Sequence, residues 1–180
     1  LVVVGEGELT LEELLKGKEL DKIKGIVFKK PLGQNRYQII ANLPRGRIID
    51  LDSLPMPAYD LFPVLKYKPA KGSYKKLPAM NMMTSRGCPG QCTFCSKTLG
   101  SKLVFKSAGK IFTEIRYLIK TYGIREIIFY DDTFTVYKDN VIKLCDLIIE
   151  NNLNIAWTCF ARVDFINQKM LEKMKKAGCH

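Results

Sequence analysis

The second half of the chain alternates short apolar runs with longer amphipathic segments, and this alternation limits the fold more than any other feature of the sequence. Apolar runs without a polar face are typical of strands buried on both sides, and the segments between them carry apolar residues at helical spacing. The strand-like runs are 79–84, 124–130 and 154–161, and the helical segments are 109–122, 138–151 and 167–177. Strands of this kind, each followed by a helix, predict an α/β fold with a parallel sheet covered by helices.

Residues that could bind a ligand or a metal follow the end of each predicted strand. A loop with three cysteines follows the first strand, Asp131 and Asp132 follow the second, and Arg162 follows the third. Repeated βα units close into barrels or form open doubly wound sheets, and in both architectures ligands bind at the carboxyl ends of the strands. We therefore expect these residues to meet at one edge of the sheet.

The cysteine loop carries Cys88, Cys92 and Cys95, which are separated by three and two residues. A closed structural zinc site uses four protein ligands, but the next cysteine is Cys145 and the sole histidine is His180. A cubane iron-sulfur cluster has four irons, so three thiolates would hold it and leave one iron open to a small molecule. The spacing favours such a 4Fe-4S cluster. Three ordinary reduced thiols, or a zinc loop with a distant ligand, are the alternatives.

With Gly87 before its first cysteine and Phe94 before its last, the loop resembles the signature of the radical S-adenosylmethionine (radical SAM) superfamily. In that family the open iron binds S-adenosylmethionine, and an electron from the cluster breaks a carbon-sulfur bond to give a 5'-deoxyadenosyl radical. The resemblance implies a partial (βα)6 barrel, of which this chain would supply the first half. It also implies that Phe94 packs over the cluster or the adenine, although shielding of the loop from water is an alternative role.

The residues after the second and third strands resemble the cobalamin-binding branch of that superfamily. Many members have a Gly-Glu motif after the second strand that binds the methionyl amino group, whereas this chain has Asp131 and Asp132. Either aspartate could make that contact, or the pair could cap the following turn. Arg162 suits a carboxylate or phosphate of a cofactor, or an ion pair with Asp164. No catalytic residue is assigned from the sequence.

The first part of the chain resembles the end of a Rossmann-like, cobalamin-binding α/β domain. Residues 1–43 contain a strand-like run, a short helix with a capping box at Thr10 and Glu13 and a stop at Gly17, and a predicted hairpin. Residues 44–78 form a proline-rich linker, and 79–180 form the truncated barrel. Cobalamin is therefore expected to bind mainly to a missing N-terminal part.

The net charge of +11 is concentrated near the cysteine loop. Residues 61–110 contain ten Lys or Arg and no Asp or Glu, which would attract an anionic substrate such as RNA or a phosphorylated metabolite, or would form a solvated lysine surface. The apolar runs are too short for a membrane span or a signal peptide. Six cysteines without an export signal predict reduced thiols and a cytoplasmic location.

The resemblance implies an enzyme that cleaves S-adenosylmethionine reductively for cobalamin-dependent methyl transfer or a related radical reaction. A small-molecule substrate and an electron donor such as a flavodoxin or ferredoxin are the expected partners, and nucleic acid is a less favoured one. A radical SAM tRNA methylthiotransferase is the first alternative, but such enzymes carry three more cysteines in an N-terminal domain, and none precedes Cys88. A non-catalytic metal-binding module is the second alternative.

Overall fold

The computed structural model describes residues 1–96 and 98–180, and these residues form two compact units. The first unit is Leu1–Ile49 and the second is Asp50–His180. The finer division predicted from the sequence, into 1–43, 44–78 and 79–180, stays a prediction.

The first unit is a three-stranded antiparallel sheet with one helix. The sheet has the order β1 (Val2–Val3), β2 (Ile26–Gly33) and β3 (Arg36–Ala41), and the helix is α1 (Glu8–Leu15). Ile23, Ile26 and Phe28 form its small apolar core. The predicted hairpin is formed by β2 and β3, and Gln34 and Asn35 turn the chain with positive φ values of 46° and 59°. Two such residues match the twist of the flanking strands.

The capping box predicted at the start of α1 is wrong. The helix begins at Glu8, and its N-cap is Gly7, which makes no side-chain cap. Thr10 is buried within the helix, where its hydroxyl donates to Lys24 O at 3.2 Å and accepts from Arg45 Nε at 2.8 Å. The Thr10 hydroxyl therefore bonds to residues distant in the sequence and does not cap the helix. The predicted stop is confirmed, since Gly17 has a left-handed φ of 72°.

The second unit contains a parallel sheet in the order β4 (Ala79–Met82), β7 (Glu126–Phe129) and β8 (Ala156–Cys159). The three strands are in register, so Met82, Phe129 and Cys159 lie side by side at their carboxyl ends. Cys179 continues the sheet through a parallel bridge to Trp157. This parallel arrangement confirms the predicted α/β class.

Three helices cover one face of this sheet: α2 (Ala108–Tyr122), α3 (Lys138–Glu150) and α4 (Gln168–Lys176). Ser107 caps α2 by accepting from Lys110 N, and Gly123 ends it with a φ of 65°. The core between helices and sheet includes Ile127, Phe129 and Trp157, so alternation directs the side chains of residues 126, 128 and 130 to the opposite face. Within 1–96 and 98–180, no helix combines the length and the apolar character that a membrane crossing needs.

A buried polar network ties the chain before β4 to helix α2. Glu114, 2% exposed, accepts a hydrogen bond from Tyr59 Oη at 2.5 Å and pairs with Lys106 Nζ at 2.7 Å. Burial raises the pKa of Tyr59, so its hydroxyl stays protonated and continues to donate. Tyr59 and Val64 are themselves members of the apolar core. The segment around residue 59 is therefore packed into the second unit.

We expect Lys106→Met to lower the free energy of unfolding by about 3 kcal/mol, because it leaves the buried Glu114 carboxylate without its cation. Urea denaturation followed by circular dichroism measures the change. Lys120→Met removes the same charge from an exposed position of α2 and should cost less than about 0.5 kcal/mol. Equal effects of the two substitutions would contradict the assigned importance of the buried pair.

Candidate functional site

The cysteine loop begins in a short hairpin beyond the end of β4. Strand β5 (Ser85–Arg86) pairs antiparallel with β6 (Val104–Phe105), so the two ends of the loop are held together. Cys88 N donates to Gly100 O at 3.0 Å, which fastens the loop just inside the hairpin. Gly87 has a φ of 90°, and an added Cβ would collide with the carbonyl oxygen of Lys102. The position before the first cysteine therefore requires glycine.

The structure brings Cys88 and Cys92 towards the same point. An added Cβ on Gly90 would lie 3.3 Å from Cys88 Sγ and 3.3 Å from Arg162 Nη1, and that Nη1 donates to Cys92 Sγ at 2.7 Å. Cys95 is exposed, and its N–H donates to Cys92 O at 3.1 Å. Within the described part of the chain, no three His, Cys, Asp or Glu side chains are grouped closely enough to hold a metal ion.

The donor set nevertheless fits an iron-sulfur cluster in its chemistry. Three free thiols lie on one loop, and thiolate is the ligand type that such clusters require. The loop from Cys88 to Ser96 has no helix or strand, and it is tied to the fold at its first cysteine. Gly90 leaves the space beside Cys88 Sγ open, where any side chain would intrude. The role of the three cysteines as ligands stays a prediction.

Arg162 approaches the cysteine loop from the end of β8. Its Nε and Nη2 donate to the two carboxylate oxygens of Asp164, at 3.0 and 2.9 Å, and its guanidinium carbon lies 5.8 Å from the Phe165 ring centroid. Hydrogen bonds from the guanidinium to Asp164 raise the pKa of Arg162, so the side chain stays charged. Both sequence-based interpretations of Arg162, as an ion-pair partner and as a site residue, are compatible with this placement.

Asp131 joins the ends of two neighbouring strands. It is 1% exposed, and its carboxylate accepts from Thr84 N at 2.8 Å, Thr84 Oγ1 at 3.0 Å, Ser85 Oγ at 2.6 Å and also Ser85 N. Burial raises the pKa of Asp131, and the hydrogen bonds from Ser85 and Thr84 oppose that effect. Its oxygens therefore hold the chain immediately before the cysteine loop.

Asp132 and Phe94 occupy exposed positions. The adjacent aspartates differ sharply, because Asp131 is buried while Asp132 lies at the surface beyond the end of β7. The Phe94 side chain is 92% exposed, so the described residues cover little of it. The two aspartates therefore differ in burial, and which of them contacts the cofactor stays a prediction.

An apolar row at the mouth of the sheet was not predicted from the sequence. Met83, Tyr130 and Phe160 each follow the last paired residue of a strand, and they are 48%, 44% and 56% exposed. The rings of Tyr130 and Phe160 meet edge to face, with centroids 5.7 Å apart. The sequence signal that could have predicted this row is that an apolar residue comes directly after each of the three strands. These side chains are apolar and exposed at the carboxyl ends of the strands, and Asp132 follows Tyr130 by two residues in the chain.

Some lysines of the basic stretch, residues 61–110, make contacts that stabilise the fold. Lys106 pairs with the buried Glu114, and Lys110 Nζ donates to the carbonyl oxygens of Asp52 and Leu54 at 3.1 and 3.0 Å. These two lysines are therefore engaged within the second unit. Lys97, which belongs to the same stretch, lies outside the described residues. The proposed attraction of an anionic substrate stays a prediction.

Comparison with known proteins relates the chain to one family. The model of the radical SAM superfamily matches residues 82–180. The chain is 42% identical to an uncharacterized methyltransferase of Pyrococcus horikoshii, over 99% of this chain and 38% of the relative. It is 30% identical to an anaerobic magnesium-protoporphyrin IX monomethyl ester cyclase of Synechocystis, over 98% of this chain and 35% of the relative. The chain thus spans little more than a third of either relative.

A solved structure shares the fold. It is the radical S-adenosylmethionine methyltransferase TsrM of Kitasatospora setae, with cobalamin and a [4Fe-4S] cluster bound. The TM-score is 0.67 at 16% sequence identity, and the match covers 99% of this chain and 36% of TsrM. At this identity the likeness concerns the fold, and it confirms the α/β architecture.

We expect Asp131→Asn to lower the free energy of unfolding by about 2 kcal/mol, because the amide nitrogen would face N–H and O–H donors of Thr84 or Ser85. Asp132→Asn makes the same chemical change at the exposed neighbour, and its cost should stay below about 0.5 kcal/mol. Thermal and urea unfolding of both variants measures the difference. If Asp131→Asn unfolds like the unsubstituted protein, the carboxylate does not support the loop.

Proposed function

Because the chain belongs to the radical SAM superfamily, we propose that Cys88, Cys92 and Cys95 hold a 4Fe-4S cluster that binds S-adenosylmethionine. The observation that supports this most is the position of the cysteine loop at the carboxyl end of β4, where Asp131 anchors its first residues. When bound, the cluster supplies the electron that splits a carbon-sulfur bond of S-adenosylmethionine.

The chain's own residues bind and orient the cofactors in this proposal. The three cysteines would hold the cluster through their sulfurs, and Asp131 fixes the loop without contacting the cofactor, since its oxygens are occupied by Thr84 and Ser85. Asp132 is exposed and precedes Thr133, whose hydroxyl lies 3.6 Å from Cys88 Sγ, so we assign to Asp132 the contact with the methionyl amino group. Phe94 is assigned to cover the cluster or the adenine and to exclude water.

Arg162 offers further contacts from the third strand. Its guanidinium has five N–H groups, of which three are used on Asp164 and Cys92. The remaining donors suit the carboxylate of S-adenosylmethionine or a phosphate of the substrate. The apolar row of Met83, Tyr130 and Phe160 provides a wall for the adjacent ligand.

We propose cobalamin-dependent methyl transfer, or a related radical reaction, as the activity of the whole protein. Support comes from the relative named a methyltransferase and from the shared fold of TsrM. The chain covers 38% of that relative, so cobalamin would bind mainly to protein outside it. We propose a small-molecule substrate, an electron donor of the flavodoxin or ferredoxin type, and a cytoplasmic location, where the six free cysteines stay reduced.

Anaerobic reconstitution of the full-length protein tests this function. A cluster whose electron paramagnetic resonance spectrum changes on addition of S-adenosylmethionine supports the enzyme, whereas bound zinc and an unchanged spectrum would indicate a metal-binding module. Binding of hydroxocobalamin would then favour methyl transfer over a tRNA methylthiotransferase, and a second cluster with no corrinoid would favour the latter.

We expect Cys88→Ala, Cys92→Ala and Cys95→Ala each to reduce iron incorporation and to abolish cleavage of S-adenosylmethionine, because each removes a ligand. Iron analysis and chromatographic detection of 5'-deoxyadenosine measure the two effects. Cys145→Ala is the control, since Cys145 is buried in the core and burial raises its pKa to about 12. Normal turnover in any of the three loop variants would refute the assignment.

We expect Asp132→Asn to weaken binding of S-adenosylmethionine about tenfold while cluster content stays unchanged, because a charge-assisted hydrogen bond becomes a neutral one. Titration of the reconstituted full-length protein with S-adenosylmethionine gives the Kd. Asp139→Asn makes the same change at an exposed position of α3 and should leave the Kd unaltered. Equal Kd values for both variants would remove Asp132 from the site.

A further inference from the structure

The structure assigns Arg162 a second role: its hydrogen bond to the Cys92 sulfur raises the reduction potential of the cluster. This inference rests on the proposed function, since it needs a cluster on Cys92. It concerns the electronic properties of the cluster, however, and not the binding of S-adenosylmethionine. In this second role Arg162 acts on the cluster through Cys92.

The direction of the guanidinium is set by its surroundings. Asp164 binds Nε and Nη2 side by side, and the Phe165 ring lies 5.8 Å from the guanidinium carbon. Because a guanidinium is planar, these contacts direct Nη1 away from Asp164, where it reaches Cys92 Sγ at 2.7 Å. The contact bridges residues that are 70 positions apart in the sequence. A flexible surface arginine would not be held from two sides in this way.

Gly90 makes room for this approach. A Cβ at that position would lie 3.3 Å from Arg162 Nη1 and 3.3 Å from Cys88 Sγ, which is closer than such atoms normally approach. The absence of a side chain thus lets the guanidinium lie close to the cysteine loop. The cysteine loop and Arg162 therefore approach each other at Gly90, between the first two cysteines, and Arg162 reaches this point from the turn after β8.

The two cysteines near this point have different neighbours. Cys92 Sγ faces a charged donor, whereas Cys88 Sγ lies 3.6 Å from the neutral hydroxyl of Thr133. The Thr133 hydroxyl donates its proton to Asp132 O at 2.6 Å, so it offers Cys88 no donor. Positive charge and N–H donors at a ligand sulfur stabilise the reduced cluster, which carries one more electron. We therefore assign the effect to Cys92.

An anaerobic redox titration of the reconstituted full-length protein, without S-adenosylmethionine, tests the inference. We expect Arg162→Met to keep the iron content of the unsubstituted protein and to shift the midpoint potential of the cluster to a more negative value. Arg116→Met is the matched control: Arg116 is an exposed arginine on α2 whose guanidinium lies over Phe112, and its loss should leave the potential unchanged. An unchanged potential in Arg162→Met would overturn the inference.

Two further results separate this role from others. A shift that occurs with S-adenosylmethionine present and not without it would mean that Arg162 acts on the nucleoside, and the inference would be wrong. Should Arg162→Met fail to assemble a cluster, unsubstituted protein labelled with ¹⁵N-arginine gives the answer by pulsed electron paramagnetic resonance. We expect a ¹⁵N coupling to the reduced cluster, and its absence would overturn the inference. A protein that binds no cluster at all would instead refute the proposed function.

Discussion

The candidate site depends on the buried carboxylate of Asp131. Parallel strands end at the same edge of a sheet, but the loops that leave them diverge unless something joins them. Asp131 supplies this connection by accepting backbone and side-chain hydrogen bonds from Thr84 and Ser85, on the neighbouring strand end. A carboxylate that is 1% exposed tolerates burial because donors surround it. The position of the cysteine loop follows from this contact.

A charged residue that follows β8 also contacts the cysteine loop. Arg162 carries a positive charge to the cysteine loop, and Asp164 keeps that charge oriented. The site therefore combines a structural anchor, the buried Asp131, with a cysteine loop that has little regular secondary structure. In the proposed function, this division would let the loop adapt to the cluster while its ends stay in place. The exposed Asp132 and the apolar row both follow the carboxyl ends of the parallel strands.

Periodicity in the sequence was sufficient to predict the parallel strands, the three helices and the meeting of the loops at one edge. Each of these depends on neighbours a few residues apart, which a pattern can represent. The failures involve distant partners. Thr10 has the local signature of a cap, yet its hydroxyl bonds Lys24 and Arg45. Asp131 and Asp132 differ in burial, and Arg162 contacts Cys92. Both features depend on tertiary contacts, which a local sequence pattern does not predict.

The packing of Tyr59 has a consequence for how this protein can be divided. Its ring and the Val64 side chain lie in the same apolar core as the helices, and its hydroxyl contacts Glu114. A fragment that started at β4 would lose these groups, and the buried Glu114 would lose the hydrogen bond from the Tyr59 hydroxyl. The boundary of the second unit is therefore Asp50, because the proline-rich segment before β4 packs into that unit and belongs to it.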